Sequence, residues 1–199
     1  LTDAIPPIVR TDEQARALLA EELDRLAPRR DALGDAGVHA VAGWRLEQAM
    51  EWEASLIAWR RACELDPADA GSVFHVGACL LETSKFAAAA DAFRRAIELD
   101  AATPRLDWFD EDPEYRLGNA HHAAGEFDEA VAAYERSAAR NELGVDALRE
   151  AARVHLHRKA GREALDVLHR LEKRAVRLTI RAEVQALRAE AEALLRRGG

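Results

Sequence analysis

The string RRACELDP at residues 60–67 returns as RRAIELDA at residues 94–101, 34 positions later. Six of the eight residues are identical, so the chain copies a unit of that length rather than continuing one long helix. Working outward at the same offset, Gly43 maps to Gly77, Trp59 to Phe93 and Ala62 to Ala96. In the second half Gly118 maps to Ala152, Ala130 to Ala164 and Tyr134 to Leu168, again 34 apart. Between the halves the offset is 41: Gly77 maps to Gly118 and Phe93 to Tyr134. Four units follow, with seven extra residues between the second and the third.

Each unit pairs a small residue in a first helical segment with another twelve positions on: Gly43 with Ser55, Gly77 with Ala89, Gly118 with Ala130, Ala152 with Ala164. Two antiparallel helices approach closely only where both side chains are small. An aromatic follows four residues later in three units (Trp59, Phe93, Tyr134), and Pro67 closes the first. This register resembles the tetratricopeptide repeat, a helix–turn–helix unit stacked into a solenoid. The chain departs from the family at its early first-helix aromatic, replaced by His39, Val73, Glu114 and Leu148. The resemblance implies an all-α, right-handed α-α superhelix in which the aromatic fills the seam to the next unit. It divides the chain into a leader and N-terminal helix (1–35), repeats at 36–69, 70–103, 111–144 and a degenerate 145–178, an insertion loop (104–110) and a capping helix (179–199).

Composition agrees with an all-α fold. Hydrophobic residues make up 49% and charged residues 32%, the balance of a folded chain rich in Ala, Leu, Glu and Arg. The scarcity of lysine beside arginine suggests a GC-rich, bacterial genome. Turns are expected at Met50–Glu53, Thr83–Lys85, Ala124–Glu126 and Lys159–Arg162, with Gly125 and Gly161 as helix stop signals. The leader LTDAIPPIVR reads as extended. Thr11 or Asp12 caps a helix that Pro28 ends, with Ala15, Leu18, Leu19, Leu23 and Leu26 on one face. Ile180, Val184, Leu187, Ala191, Leu194 and Leu195 form a second apolar stripe. Terminal repeats of a solenoid need such caps; a dimerisation coiled coil is the alternative, so the expected state is a monomer or weak homo-oligomer.

Charge and chemistry exclude several functions. Residues 1–144 carry 15 Lys+Arg against 28 Asp+Glu, and residues 145–199 carry 13 against 8. An acidic body does not suit nucleic acid, whose phosphates need a clustered basic face. No apolar run reaches the length of a membrane span, and the expected location is cytoplasmic, with a start at Leu1 that leaves a processed or shortened N-terminus open. Cys63 and Cys79 sit in apolar helical stretches as reduced thiols. His121 and His155 occupy equivalent places on a packing face, and His155 and His157 point to different sides of their helix. HExxH, CxxC and Gly-rich phosphate loops are missing from the sequence. No catalytic residue, metal site or cofactor is expected.

The face opposite the packing seam remains. Positions three before, one after and four after each first-helix Gly share it. They read Ala40, Trp44, Glu47; Phe74, Ala78, Leu81; Tyr115, Asn119, His122; and Arg149, Arg153, Leu156. In tetratricopeptide proteins this stripe lines a concave peptide-binding surface. The family's carboxylate clamp is not expected, because Ala40 and Trp44 stand where it places Lys and Asn. The groove expected instead has an apolar anchor near Trp44 and Phe74, with Leu81, Tyr115, Asn119 and His122 further along the stripe, Asn119 placed to bond a peptide backbone, and a cationic end where Arg149 and Arg153 hold a partner's acidic group or C-terminus. Trp108 and Phe109 in the insertion either pack back on the solenoid or add an aromatic contact. The implied function is a protein-interaction scaffold or adaptor binding a peptide or helix. The alternatives are an oligomeric assembly subunit using its terminal helices, or a regulatory domain of a larger signalling protein.

Overall fold

The computed structural model describes residues 10–102, 112–140, 144–174 and 178–198. Within them the regular structure is helical: α1 (Asp12–Leu26), a 3-10 turn (Ala27–Arg29), α2 (Arg30–Gln48), α3 (Trp52–Leu65), α4 (Ala70–Glu82), α5 (Phe86–Ala102), α6 (Pro113–Ala124), α7 (Phe127–Arg140), α8 (Val145–His157), α9 (Gly161–Arg174) and α10 (Leu178–Gly198). Helices α2/α3, α4/α5, α6/α7 and α8/α9 form antiparallel hairpins. Two compact units result, Leu1–Asp110 and Glu111–Gly199, divided where the offset of 41 interrupts the period of 34.

Local chemistry sets the helix ends. Thr11 caps α1 with a reciprocal capping box: its hydroxyl accepts from the Gln14 amide, and the Gln14 side chain accepts from the Thr11 amide. Pro28 falls in the 3-10 turn that follows. Gly34, at φ 70° and ψ 168°, interrupts the helical path early in α2. Asp69 caps α4 by accepting from the Gly71 and Ser72 amides.

Each hairpin turns on one residue with left-handed φ: Met50 (57°), Ser84 (58°), Gly125 (81°) and Lys159 (58°). Their spacing of 34, 41 and 34 reproduces the sequence register in the backbone. The next amide then bonds back five residues, from Glu51 to Leu46, Lys85 to Leu80, Glu126 to His121 and Ala160 to His155, at 2.8–2.9 Å. These bonds satisfy carbonyls the helix end would leave open. Gly125 is the stop signal expected. Gly161 is not, since it starts α9, and a Cβ there would lie 2.9 Å from the Ala191 carbonyl oxygen of α10. Its lack of a side chain lets the last helix approach.

The first-helix glycines answer to the aromatic of their own hairpin. A Cβ on Gly43 would come within 2.8 Å of the Trp59 ring, on Gly77 within 2.8 Å of Phe93, and on Gly118 within 2.5 Å of Tyr134. The fourth hairpin changes both partners together: Ala152 faces a hairpin with Leu168, and both are buried. The aromatic was expected to fill the seam to the next unit. Its first contact is inside its hairpin, although Trp59 also reaches the next hairpin, stacking on His75 of α4 at 4.3 Å and 6°.

The end helices turn their apolar stripes inward. Ala15, Leu19 and Leu26 of α1 join Val38, Ala42, Leu46, Ala54 and Ala58 in the core of the first unit. Val184 and Ala191 of α10, with Leu187 and Leu194 beside them, join the core of the second. Leu195 stays exposed. Burial of each such Leu or Val contributes about 1.5–3 kcal/mol, so α1 and α10 stabilise the units they close.

Candidate functional site

In the second unit α6 is held by its own N-terminus. Asp112 accepts from the Glu114 amide at 3.0 Å and from the Ser137 hydroxyl of α7 at 2.5 Å, and Pro113 supplies a fixed φ at the first helical position. Glu114 is buried and takes the Arg136 guanidinium of α7 at 3.0 Å. With α6 fixed in this way, Tyr134 lies over Gly118 and donates its hydroxyl to Asn119 Oδ1 at 2.8 Å. Asn119 is thereby oriented, and its amide donors are directed by that bond.

Tyr115, Asn119, His122 and Ala123 of α6, Tyr134 of α7 and Glu150 of α8 line an open cavity of about 510 Å³. The three polar residues predicted for this part of the groove, Tyr115, Asn119 and His122, are brought together in it. The Tyr115 and Tyr134 rings tilt against each other at 5.8 Å, and His122 meets Phe127 edge-on at 5.9 Å. Burial and then the Glu150 charge push the Tyr115 phenol above its ordinary pKa. The same two causes, in the same order, raise Tyr134.

The cationic end is corrected by the structure. Arg149 binds Asp146 at 2.8 Å and Glu150 at 3.3 Å, with Glu183 of α10 at 3.8 Å. Arg153 binds Glu150 at 3.2 Å and Glu183 at 2.6 Å. Burial works against the Arg149 charge, but Asp146, Glu150 and Glu183 outweigh it and hold its pKa above the ordinary value. The acid expected from a partner is thus supplied by this chain. Sequence spacing placed the arginines one turn apart, but it gave no sign that Glu183, 30 residues past Arg153, would reach them.

The first unit treats its stripe differently. Trp44 is 48% exposed, as a groove residue should be, and Leu81 is half-buried. Phe74 is not a groove residue: it is 3% exposed and packs on Phe93 at 5.4 Å. Glu47 turns inward as well. Its carboxylate accepts from Trp59 Nε1 at 2.9 Å, meets His75 Nδ1 at 3.1 Å and takes the Cys79 thiol at 3.4 Å. Ser55 donates to the Gly43 carbonyl at 2.9 Å and receives the same thiol. This polar cluster was missed from sequence. The 12-residue spacing of Glu47 and Trp59, the same as Gly43 and Ser55, was the available signal. Trp108 and Phe109 lie outside the described residues.

Among the described residues no group of His, Cys, Asp and Glu could hold a metal ion, and no helix is long and apolar enough to cross a membrane. Cys79 is buried and Cys63 half-buried, both as free thiols, and burial raises both pKa values, that of Cys63 to about 11. Neither has the lowered pKa of a reactive cysteine.

Residues 115–142, which span the third hairpin, match the sequence model of the tetratricopeptide repeat. The crystal structure of MamA superposes with a TM-score of 0.67 at 17% identity, over 83% of this chain and 95% of that one. The present chain has the tetratricopeptide-repeat fold. A second solved structure, YrrB, described as a TPR protein with an unusual peptide-binding site, gives a TM-score of 0.63 at 17% identity, over 92% of this chain and 84% of that one. A kinesin light chain from Podosopora anserina with nearly identical TPR-like repeats gives 0.54 at 14% identity, over 89% and 98%. No curated protein matches in sequence.

Proposed function

We propose that the chain is a protein–protein interaction module, a scaffold or adaptor, which docks a peptide or helix of its partner on the α6–α8 face of the second unit. The observation that carries this reading is the open cavity of about 510 Å³, where Asn119 is held by the buried Tyr134 and the half-buried Tyr115 supplies an aromatic wall. A few well-placed aromatic and amide groups of this kind anchor a peptide, while surrounding contacts add complementarity. The likeness to YrrB, whose description names a peptide-binding site, supports the same reading. The inward stripes of α1 and α10 support a monomer or weak homo-oligomer over assembly through the terminal helices. No step of chemistry is assigned to any residue.

Ala123 lines the cavity and is exposed, so enlarging it fills the site without disturbing a core. Affinity capture from native lysate should lose the partner with Ala123→Arg and with Asn119→Ala, while circular dichroism stays unchanged. Capture that survives both substitutions would sink the proposal.

A further inference from the structure

We infer that the side chain this cavity takes from the partner is basic, an arginine or lysine, with Glu150 as its counter-charge and Tyr115 as its aromatic wall. The inference rests on the docking reading above and reverses the acidic ligand that the sequence suggests.

Glu150 is the one carboxylate among the lining side chains, and none of the lining residues is Lys or Arg. The nearby arginines are outnumbered by acids. Asp146, Glu150 and Glu183 are three carboxylates against the two guanidiniums of Arg149 and Arg153, which leaves the cluster one charge negative. Both arginines bond the same oxygen of Glu150, Oε1. The proposed donor takes the other, Oε2. After burial, which is the larger cause, Glu150 raises the pKa of both tyrosines, and at Tyr115 its effect is ahead of the opposing one from Arg149.

The other walls suit a cation too. Asn119 Oδ1 accepts from Tyr134, and an acidic ligand would approach the remaining amide, phenol and imidazole groups against Glu150 and its net-negative cluster. A guanidinium or ammonium instead meets a carboxylate and the half-buried Tyr115 ring, whose quadrupole attracts cations. Glu150 is only 16% exposed, so its attraction is less screened than that of a surface ion pair. Like charges across such a site are strongly disfavoured, which makes the discrimination one of sign.

The test uses a random peptide library displayed on phage and panned against the full chain, followed by titration of synthetic copies of the enriched peptides. Those blocked by Ala123→Arg should share an Arg or Lys whose replacement by citrulline or norleucine removes binding. Glu150→Gln should weaken them about tenfold or more. Ala123→Glu and Ala123→Gln fill the same space at this exposed position and leave the Glu150 network intact, and the acidic variant should bind the same peptides more tightly than the neutral one. Peptides that Ala123→Arg blocks, but that carry no basic residue and ignore Glu150→Gln, overturn the basic ligand and leave the docking site standing. If Glu150→Gln fails to fold, this pair decides alone, and binding by Ala123→Glu no tighter than by Ala123→Gln overturns the inference. A library yielding no peptide blocked by Ala123→Arg overturns the docking reading with it.

Discussion

The first and third hairpins, α2/α3 and α6/α7, meet the same packing requirement and leave opposite surfaces. In each, a glycine on the first helix makes room for a large ring sixteen residues on, Trp59 over Gly43 and Tyr134 over Gly118. Each ring then sends its polar tip back to the first helix, to Glu47 or to Asn119. In the first hairpin His75 stacks on Trp59 and pairs with Glu47, so the polar group is largely covered within the unit. The third hairpin has no such lid among the described residues, and Asn119 borders an open cavity. One steric device thus gives a covered polar cluster in one unit and a polar group bordering an open cavity in the other.

The largest expected effect breaks the shared device. Tyr134→Ala or Trp59→Ala removes a buried ring and should cost about 3–5 kcal/mol. Gly118→Ala forces a methyl into Tyr134 and should cost about 1–3 kcal/mol. Adding Tyr134→Leu to Gly118→Ala recreates the Ala152/Leu168 pairing of the fourth hairpin and should recover part of that loss, as read from denaturant midpoints. A double mutant less stable than either single change would mean that glycine and ring are not coupled.

The next effect separates the two polar tips. Glu47→Ala strands Trp59 Nε1, breaks the His75 contact and leaves the Cys79 thiol with Ser55 alone in a largely covered site, at about 1–3 kcal/mol. Asn119→Ala leaves the Tyr134 hydroxyl beside an open cavity where water can replace the amide, and its cost should fall below that of Glu47→Ala. Equal losses in thermal melts would erase the contrast between closed and open.

Smaller still is the dependence on pH. Burial first, then Arg61, lowers the His39 pKa in the first unit; burial first, aided by Arg158, lowers that of His155 in the second. The unfolded chain therefore binds more protons at these sites as pH falls through the ordinary histidine value of 6.5, and stability is lost from there downward. Tm should drop between about pH 7.5 and 5.5, and His39→Gln with His155→Gln should flatten the drop. A Tm that rises on acidification would contradict the assignment. The smallest effect is a gain: Lys159→Gly places glycine at a left-handed φ of 58° and should stabilise by about 0.5–1 kcal/mol.

Much of the fold was legible because it repeats. The register of 34, 41 and 34 located every hairpin turn, since a helix end must satisfy the same carbonyls each time. Legibility failed where contacts join distant residues of unlike type. Arg149 and Arg153 looked free until Glu183 arrived from α10, and Phe74 looked like a groove anchor until Phe93 covered it. Tyr115, Asn119 and His122 were readable as a set because three-and-four spacing alone puts them on one face. Glu150 was not, because it lies two before Ala152, off the stripe that the glycine register defines.

The most direct test of the open α6–α8 face is amide shift mapping of the full chain with a peptide recovered by panning. The expected perturbations centre on Tyr115, Asn119, His122, Ala123 and Glu150, with the Glu47 cluster silent. Perturbations confined to α1 or the outer face of α10, with the cavity residues unmoved, would contradict it and favour assembly through the terminal helices.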